Sequence, residues 1–506
     1  MKKLLILFIG VLPMSILNAQ DISDALRYST GDVQGTARFR AMSGAFGALG
    51  GDLSALSINP AGSAIFNRSH ASLSISNLNN DTRTNYFGNS NTGSNSSFDL
   101  NQAGAVFVFN NMNSESPWGR FTIGISYEQT QNFDDDFFAS GTNTRSIDGY
   151  FLGYAQGLRL DEISAFDGES ITDAYGDIGA IFGYANQQGF LGYESYILEP
   201  EDNDDDANTV YTSNIAPGDF YQEYSYAATG YNGKFGVNAA IQYDENIYLG
   251  LNLNSHFINY DRSTFLYESN SNTGSLVNQV GFENNLSTIG SGFSFQLGSI
   301  AKVNESLRLG FSYDSPVWYT ISEETTQYLS TVRDDAGTNV TTTLNPQIVN
   351  IFPDYKLQTP SKITGSAALV LGKQGLISFD YSRKDFSKTK FKPETDSHFS
   401  AQNMIISNTL KAANSYKIGG ELRFDQLSLR GGYRFEESPY QDTTFYGDLT
   451  GYSLGLGYNF GGTTIDLAYQ NSERDMNYQL YNIGLTDSAK LNTDNSLITL
   501  TLNLRL

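Results

Sequence analysis

The 506-residue chain contains no cysteine, so it has neither a disulfide framework nor a thiolate metal site, and no N-terminal Cys to carry a lipid. Its 54 acidic against 31 basic residues give a formal net charge of -23, which argues against nucleic acid, whose phosphates would be repelled. With 32 Tyr, 33 Phe, 49 Gly and a mean hydropathy of -0.32, the composition is unlike a helical membrane protein and suits strands with one polar face.

The first residues have the layout of a secretory signal. Lys2 and Lys3 precede an apolar run over 4–17, followed by Asn18, Ala19 and Gln20, with cleavage expected after Ala19. That run is too short to span a bilayer, and no later stretch reaches the roughly 18 unbroken apolar residues a spanning helix needs. Residues 1–19 are therefore expected to be a signal peptide on an exported protein with no helical anchor.

Residues 20–68 are rich in small side chains. One or two helical turns are expected over 21–28 and another short one over 44–57, although Gly44, Gly47, Gly50 and Gly51 each cost a helix about 1 kcal/mol. A turn at Asn59, Pro60, Ala61 and Gly62 follows. Phe39, Phe46, Leu49, Leu53, Leu56, Ile58, Ile65 and Phe66 supply the apolar surface of this stretch.

From about His70 apolar and polar residues alternate with period two to the end of the chain. Ile498, Leu500, Leu502, Leu504 and Leu506 alternate with Thr499, Thr501, Asn503 and Arg505. In the pair 416–424 and 427–435, one face carries Tyr416, Ile418, Leu422, Phe424, Leu427, Leu429, Tyr433 and Phe435. The other carries Lys417, Glu421, Arg423, Arg430 and Arg434. About fourteen strands are expected, near 70–87, 97–111, 119–137, 221–243, 247–268, 285–303, 306–331, 355–373, 375–392, 411–425, 427–439, 449–460, 463–480 and 494–505.

Short turns and long polar loops alternate strictly between them. Long loops fall near 88–96, 138–220, 269–284, 332–354, 392–410, 440–448 and 481–493. An outer-membrane barrel sorts its connections in this way, whereas a soluble β-sandwich has no reason to. The fold class expected is therefore all-β, a transmembrane antiparallel barrel over 69–506. Charged faces point inward, because a Lys or Arg facing mid-membrane lipid costs about 2–4 kcal/mol. With short turns on the periplasmic side, the N-terminal segment and Leu506 are both expected there. A barrel this wide has room its own side chains do not fill, and residues 20–68 suit it as a plug.

Within 138–220, Ser170 and Asp173 make a helix-capping arrangement ahead of Ile171, Ala174, Tyr175, Ile178, Ile181, Phe182 and Ala185 at helical spacing. A partly helical cap over the barrel mouth is expected, serving either ligand entry or protection of the rim.

Catalytic and metal chemistry is not in view. His70, His256 and His398 share no ligand spacing, and there is no GxSxG elbow, phosphate loop or HExxH. Neither a cofactor nor a metal is expected. Asp134, Asp135 and Asp136, and the run from Glu201 to Asp206, could offer oxygen ligands to Ca²⁺, but they lack the EF-hand glycine and distal glutamate and read as solvated loop charge.

The run from Arg40 to Gly62, RAMSGAFGALGGDLSALSINPAG, resembles the hatch of the FadL/TodX (OMPP1) outer-membrane transporters. Residues 415–439 resemble the late hairpin of that family, and 450–470 resemble the next. Thr359, Pro360, Ser361, Lys362, Ile363, Thr364 and Gly365 stand where family members open a mid-barrel strand. The resemblance covers essentially the whole mature chain, and it implies a fourteen-stranded barrel with an N-terminal hatch. Its ligands would be hydrophobic small molecules such as long-chain fatty acids or aromatic hydrocarbons. They would be caught outside, passed to an internal pocket and released sideways near a kinked strand, by a monomeric barrel in outer-membrane lipid. It implies Asn59, Pro60, Ala61 and Gly62 as the hatch turn and gate, with Phe46, Leu49, Leu53 and Phe66 on the hatch surface. Gly124 is the candidate strand kink. The chain departs from the barrel pattern in ending on Leu506 rather than an aromatic residue. Its long acidic loop also prevents any carry-over of entry residues. A scaffold or shuttle for secreted proteins, as in the PorV branch, and an open porin remain as alternatives.

Overall fold

The computed structural model describes residues 21–113 and 115–506, so the expected signal peptide lies outside the described residues. Fourteen antiparallel strands close on themselves. They are β1 (His70–Tyr86), β2 (Asn89–Asn110), β3 in two pieces (Trp118–Asn132 and Asp135–Asn143), β4 (Phe220–Tyr243) and β5 (Ile247–Ser269). Then come β6 (Val277–Lys302), β7 in two pieces (Leu307–Asp314 and Trp318–Asp335) and β8 in four (Thr338–Leu344, Asn350–Ile351, Tyr355–Gln358 and Lys362–Leu371). The series ends with β9 (Gly375–Asp385 and Lys390–Lys392), β10 (Ala412–Phe424), β11 (Leu427–Glu436), β12 (Leu449–Asn459), β13 (Thr463–Gln479) and β14 (Ser488–Arg505). Closure is by β14 on β1, in register from His70↔Arg505 to Asn85↔Lys490.

The wall is amphipathic with its apolar face outward. On β14, Ile498 is 52% exposed while Thr499 and Thr501 are fully buried. Likewise Ile418, Leu422 and Tyr433 face out, while Glu421, Arg430 and Arg434 face in. Exposed apolar rows around a buried polar interior are stable only where the surroundings are lipid. At the short-turn rim the Leu506 N–H bonds the carbonyl of Ser69, the residue before β1.

Two connections break the expected alternation of short and long. β1 passes to β2 through Phe87 and Gly88, and β7 to β8 through Ala336 and Gly337, both at the long-loop rim and both through residues of positive φ. The stretches read as loops over 88–96 and 332–354 are largely strand. Asn, Ser, Thr and Gly on both faces leave such strands no apolar alternation, because they rise beyond the part of the wall that must face lipid.

The N-terminal segment runs inside the barrel. It contains α1 (Ile22–Arg27) and α2 (Ala37–Arg40), then 3₁₀ turns at Ser54–Ser57 and Pro60–Ile65. The expected helix over 44–57 reduces to the first of these turns. The segment does not stay at the short-turn rim as expected. Ala25, Leu26 and Tyr28 pack with Tyr260, Tyr355, Phe391, Ile406 and Leu410 in the long-loop half, so the segment descends the lumen to reach Ser69. Across the opposite mouth lie α3 (Asp148–Ala155), α4 (Ile171–Ile181) and α5 (Tyr184–Glu194), and α6 (Ser397–Thr409) fills the connection between β9 and β10.

Candidate functional site

The lower lumen is organised around backbone groups of the N-terminal segment that wall side chains satisfy. The Asp380 carboxylate, on β9, accepts the N–H groups of Phe46 and Gly47, each at 2.9 Å. Thr501 Oγ1 on β14 accepts the Ala37 N–H at 2.7 Å, and Ser453 Oγ on β12 accepts that of Ser43 at 3.0 Å. For the N–H groups of Ala37 and Gly47, which no helix or sheet satisfies, these bonds replace water, while those of Ser43 and Phe46 also meet the carbonyls of Arg40 and Gly44.

Asn59 is a hub rather than a simple turn residue. Its Oδ1 caps the Pro60–Ile65 turn by accepting the Ala61 N–H at 3.2 Å. Its Nδ2 donates to the carbonyls of Gly47 at 2.8 Å and of Ser299, on β6, at 2.9 Å. The Pro60 carbonyl accepts from Asn238 Nδ2 on β4 at 3.0 Å. Ala61 packs with Ala240, Tyr248 and Ile300. Gly62 lies against Gly50, where φ is +61° and a Cβ would stand 2.8 Å from the Gly62 Cα, so close backbone contact requires glycine there. Phe46 and Leu49 belong to one buried cluster with Phe39 and Leu376, and Leu53 and Phe66 to another with Val106.

An ionic chain ties the segment to the wall beneath α2. Glu421 is 1% exposed and takes Arg38 at 2.8 Å, Arg430 at 2.6 Å and Arg423 at 2.5 Å. Arg430 continues to Asp466 at 2.6 Å. Burial weakens the hold of the Arg38 guanidinium on its proton, but Glu421 more than reverses this, so Arg38 stays above the ordinary arginine range. The sequence places these charges on the inward face, but pairing across strands depends on barrel register and carries no local signal.

The upper mouth is closed by different chemistry. Phe151, Phe190 and Leu191 of the cap are fully buried with Phe282 and Leu329 of the wall. A few polar bonds set the orientation of this core. Tyr150 donates to Gln188 at 3.0 Å, and Gln327 Nε2 donates to Gln188 at 3.0 Å and to Tyr184 at 3.2 Å. Burial pushes the Tyr184 hydroxyl up to about 12.

One part of the wall lacks a hydrogen-bonded ladder. β2 and β3 pair only from Gln102↔Glu128 to Asn110↔Arg120. Above that, β2 pairs with β1 alone, and the upper piece of β3 pairs with β4 alone. Side chains bridge the gap instead. Asn132 Nδ2 donates to Ser97 at 3.0 Å and to Asp99 at 2.6 Å, and Asn91 to Ser140 at 3.2 Å. Asn80 of β1 donates to Asp135 at 2.7 Å, so the upper piece of β3 passes behind the β1–β2 hairpin. Gly124, the expected kink, shows no break in its pairing. It lies within continuous pairing, opposite Val106 and Asn238, and the interruption of β3 comes later, between Gln129 and Asp135.

Among the described residues no group of three or more His, Asp or Glu side chains is placed to hold a metal ion. His70 stacks on Phe66 at 5.1 Å, and His256 shares a 2.8 Å hydrogen bond with Ser294.

The profile of the outer membrane protein transport protein (OMPP1/FadL/TodX) family matches residues 236–503, from within β4 to within β14. The fold superposes on a FadL homologue of Pseudomonas aeruginosa with a TM-score of 0.53 at 12% identity, over 94% of this chain and all of that one. It superposes on the Pseudomonas putida toluene transporter TodX with a TM-score of 0.52 at 13% identity, over 94% of this chain and 99% of that one. At such identities the likeness is one of fold. No curated protein matches in sequence.

Proposed function

The chain belongs to the outer membrane protein transport protein (OMPP1/FadL/TodX) family, and from that membership we propose passive uptake of hydrophobic small molecules released sideways through the β2–β3 gap. The family consists of outer-membrane transport proteins, and this chain is an outer-membrane β-barrel. Its ligands on this reading are long-chain fatty acids or monoaromatic hydrocarbons, the latter in keeping with the toluene transporter whose fold it shares. It acts as a monomer surrounded by outer-membrane lipid and performs no covalent chemistry. Residues 1–19 are removed on export, residues 20–68 form the hatch, and 69–506 form the barrel with its cap loop.

One observation carries the reading. The axial path is filled from below by the N-terminal segment and covered above by the cap, while one place in the wall is held by side chains alone. A hydrophobic molecule gains about 25 cal/mol for each Å² it keeps out of water, so a route from lumen to lipid favours it and offers a polar solute nothing. Neither a secretion scaffold nor an open porin needs a wall gap beside a filled lumen.

The absence of native cysteine gives a direct test. Ser97→Cys with Asn132→Cys places a disulfide across the gap. Uptake of a radiolabelled fatty acid or of toluene should stop under oxidising conditions and return with reductant. Uptake indifferent to the crosslink would overturn the sideways route. Mass spectrometry of lipids co-purifying with the native protein identifies the ligand class. Planar-bilayer recording should show little steady conductance, and a large one would favour the porin.

A further inference from the structure

Both ladders flanking the gap carry a bulge at its foot. Between β1 and β2, Ser74 pairs with Gln102 and Ile75 with Leu100, which leaves Asn101 as an extra residue. Between β3 and β4, Gln129 pairs with Gly233 and Gln131 with Asn232, which leaves Thr130 extra. A bulge ends regular pairing and re-aims the groups of the residue it adds. Here both added residues are aimed at the same short stretch of the N-terminal segment. The Thr130 carbonyl accepts the Asp32 N–H at 3.1 Å. Asn101 Nδ2 donates to Gln34 Oε1 at 3.1 Å and to Gln129 Oε1 at 3.2 Å. One carboxamide of β2 thus grips the segment and β3 together, one rung above the last β2–β3 pair.

The junction is buried, and several of its polar atoms have no partner in the protein. Asn101 is 1%, Gln129 2% and Gln34 5% exposed. Asn101 Oδ1, Gln102 Nε2, Gln131 Oε1 and Ser76 Oγ are buried without a partner, as is Nε of Arg40, whose Nη2 bonds Gln34. Buried polar atoms left unpaired disfavour the closed arrangement, and the few bonds that remain hold it shut.

We propose that residues 32–34 bolt the gap, with Asn101 and Gln34 as the positioning residues that hold the edges of β2 and β3 together at its foot. Displacing this stretch frees the bulged residues of both edges in one movement, so the lumen and the wall open in concert. As a gate on ligand exit, the bolt rests on the sideways route proposed above.

The test uses the full-length protein in detergent or liposomes with a single introduced cysteine. Gln131→Cys sits at the foot of the gap, and its labelling by a water-soluble maleimide reads the opening without any transport. Adding Asn101→Ala should raise the labelling rate on the order of tenfold, as expected for the loss of two neutral hydrogen bonds, and Gln34→Ala should raise it at least as much, because it loses one of these together with the charge-assisted bond from Arg40. Ser195→Cys, fully buried within the cap at the end of α5, should label at an unchanged rate in the same backgrounds. Unchanged labelling at Gln131→Cys overturns the bolt. Equal acceleration at both cysteines also overturns it, because the segment would then only stabilise the barrel as a whole. Faster labelling at the foot alone, with uptake indifferent to the Ser97–Asn132 crosslink, keeps the bolt and removes the sideways route.

Discussion

The same lumen is closed at two levels by different forces. In its lower part the N-terminal segment is held by point contacts of fixed direction, such as Asp380 on two amides, Asn59 on two carbonyls and Glu421 among three guanidinium groups. At the mouth the cap is held by a continuous apolar and aromatic core that includes Phe151, Phe190, Leu191 and Phe282. Directional bonds are all made or all broken over a small displacement and so fix a position. Apolar contacts tolerate sliding and fix only proximity. The contrast suits a segment that moves between defined positions beneath a cap that adjusts to what passes it.

The contrast is open to attack with substitutions. Glu421→Ala should have the largest effect, about 4 kcal/mol, because it leaves the largely buried Arg38 guanidinium without a carboxylate. Urea unfolding in detergent measures the loss, and bilayer conductance should rise as the lower filling loosens. Phe190→Ala should cost about 3 kcal/mol through the cavity it leaves. Its loss should stay in the cap, seen as faster proteolysis within residues 144–219 with conductance unchanged. If both substitutions raise conductance alike, the two levels are not mechanically separate.

Asn59→Ala removes both carbonyl bonds and the cap of the Pro60–Ile65 turn, for about 2 kcal/mol. Ligand uptake should fall more than stability does, and unchanged uptake would make the segment a passive stopper. Gly124→Ala is the smallest. A Cβ there would stand 3.1 Å from Leu56 Cδ2 and 3.2 Å from Asn238 Cβ, a squeeze of about 1 kcal/mol. Uptake by this variant should match the parent, whereas a clear loss would restore the position to the exit route.

Legibility in the sequence followed the demands of lipid. β10, β11 and β14 were readable because every second residue must be apolar where the wall meets hydrocarbon. The start of β2 was not, since residues such as Ser94 and Ser96 carry no alternation, and it appeared as loop, although β1 was read over nearly its whole length. The capping signal at Ser170 was correct locally, and Ser170 Oγ accepts the Asp173 N–H at 3.1 Å. The pattern that followed it could not divide α4 from α5, which Gly183 separates at a φ of +98°. Asn59 stood out beside Pro60 as a turn, but the carbonyls it bonds come from elsewhere in the chain. Asn101 and Thr130 carried no signal, because a bulge depends on how neighbouring strands register and not on the identity of the added residue.

The Ala37 N–H that bonds Thr501 links the N-terminal segment to β14, 464 residues further along the chain. Ser43 and Ser453 repeat the relation with β12. Contacts so distant in sequence form late, because the loop-closure entropy between their ends must be met before they contribute. Closure of β14 on β1 joins ends just as distant in sequence, so the segment's bonds and the closing pair of strands are late contacts of the same kind. A segment supplied after closure would find its bonding partners facing a sealed interior. For this protein, seating the segment and closing the wall belong to the same late stage of assembly.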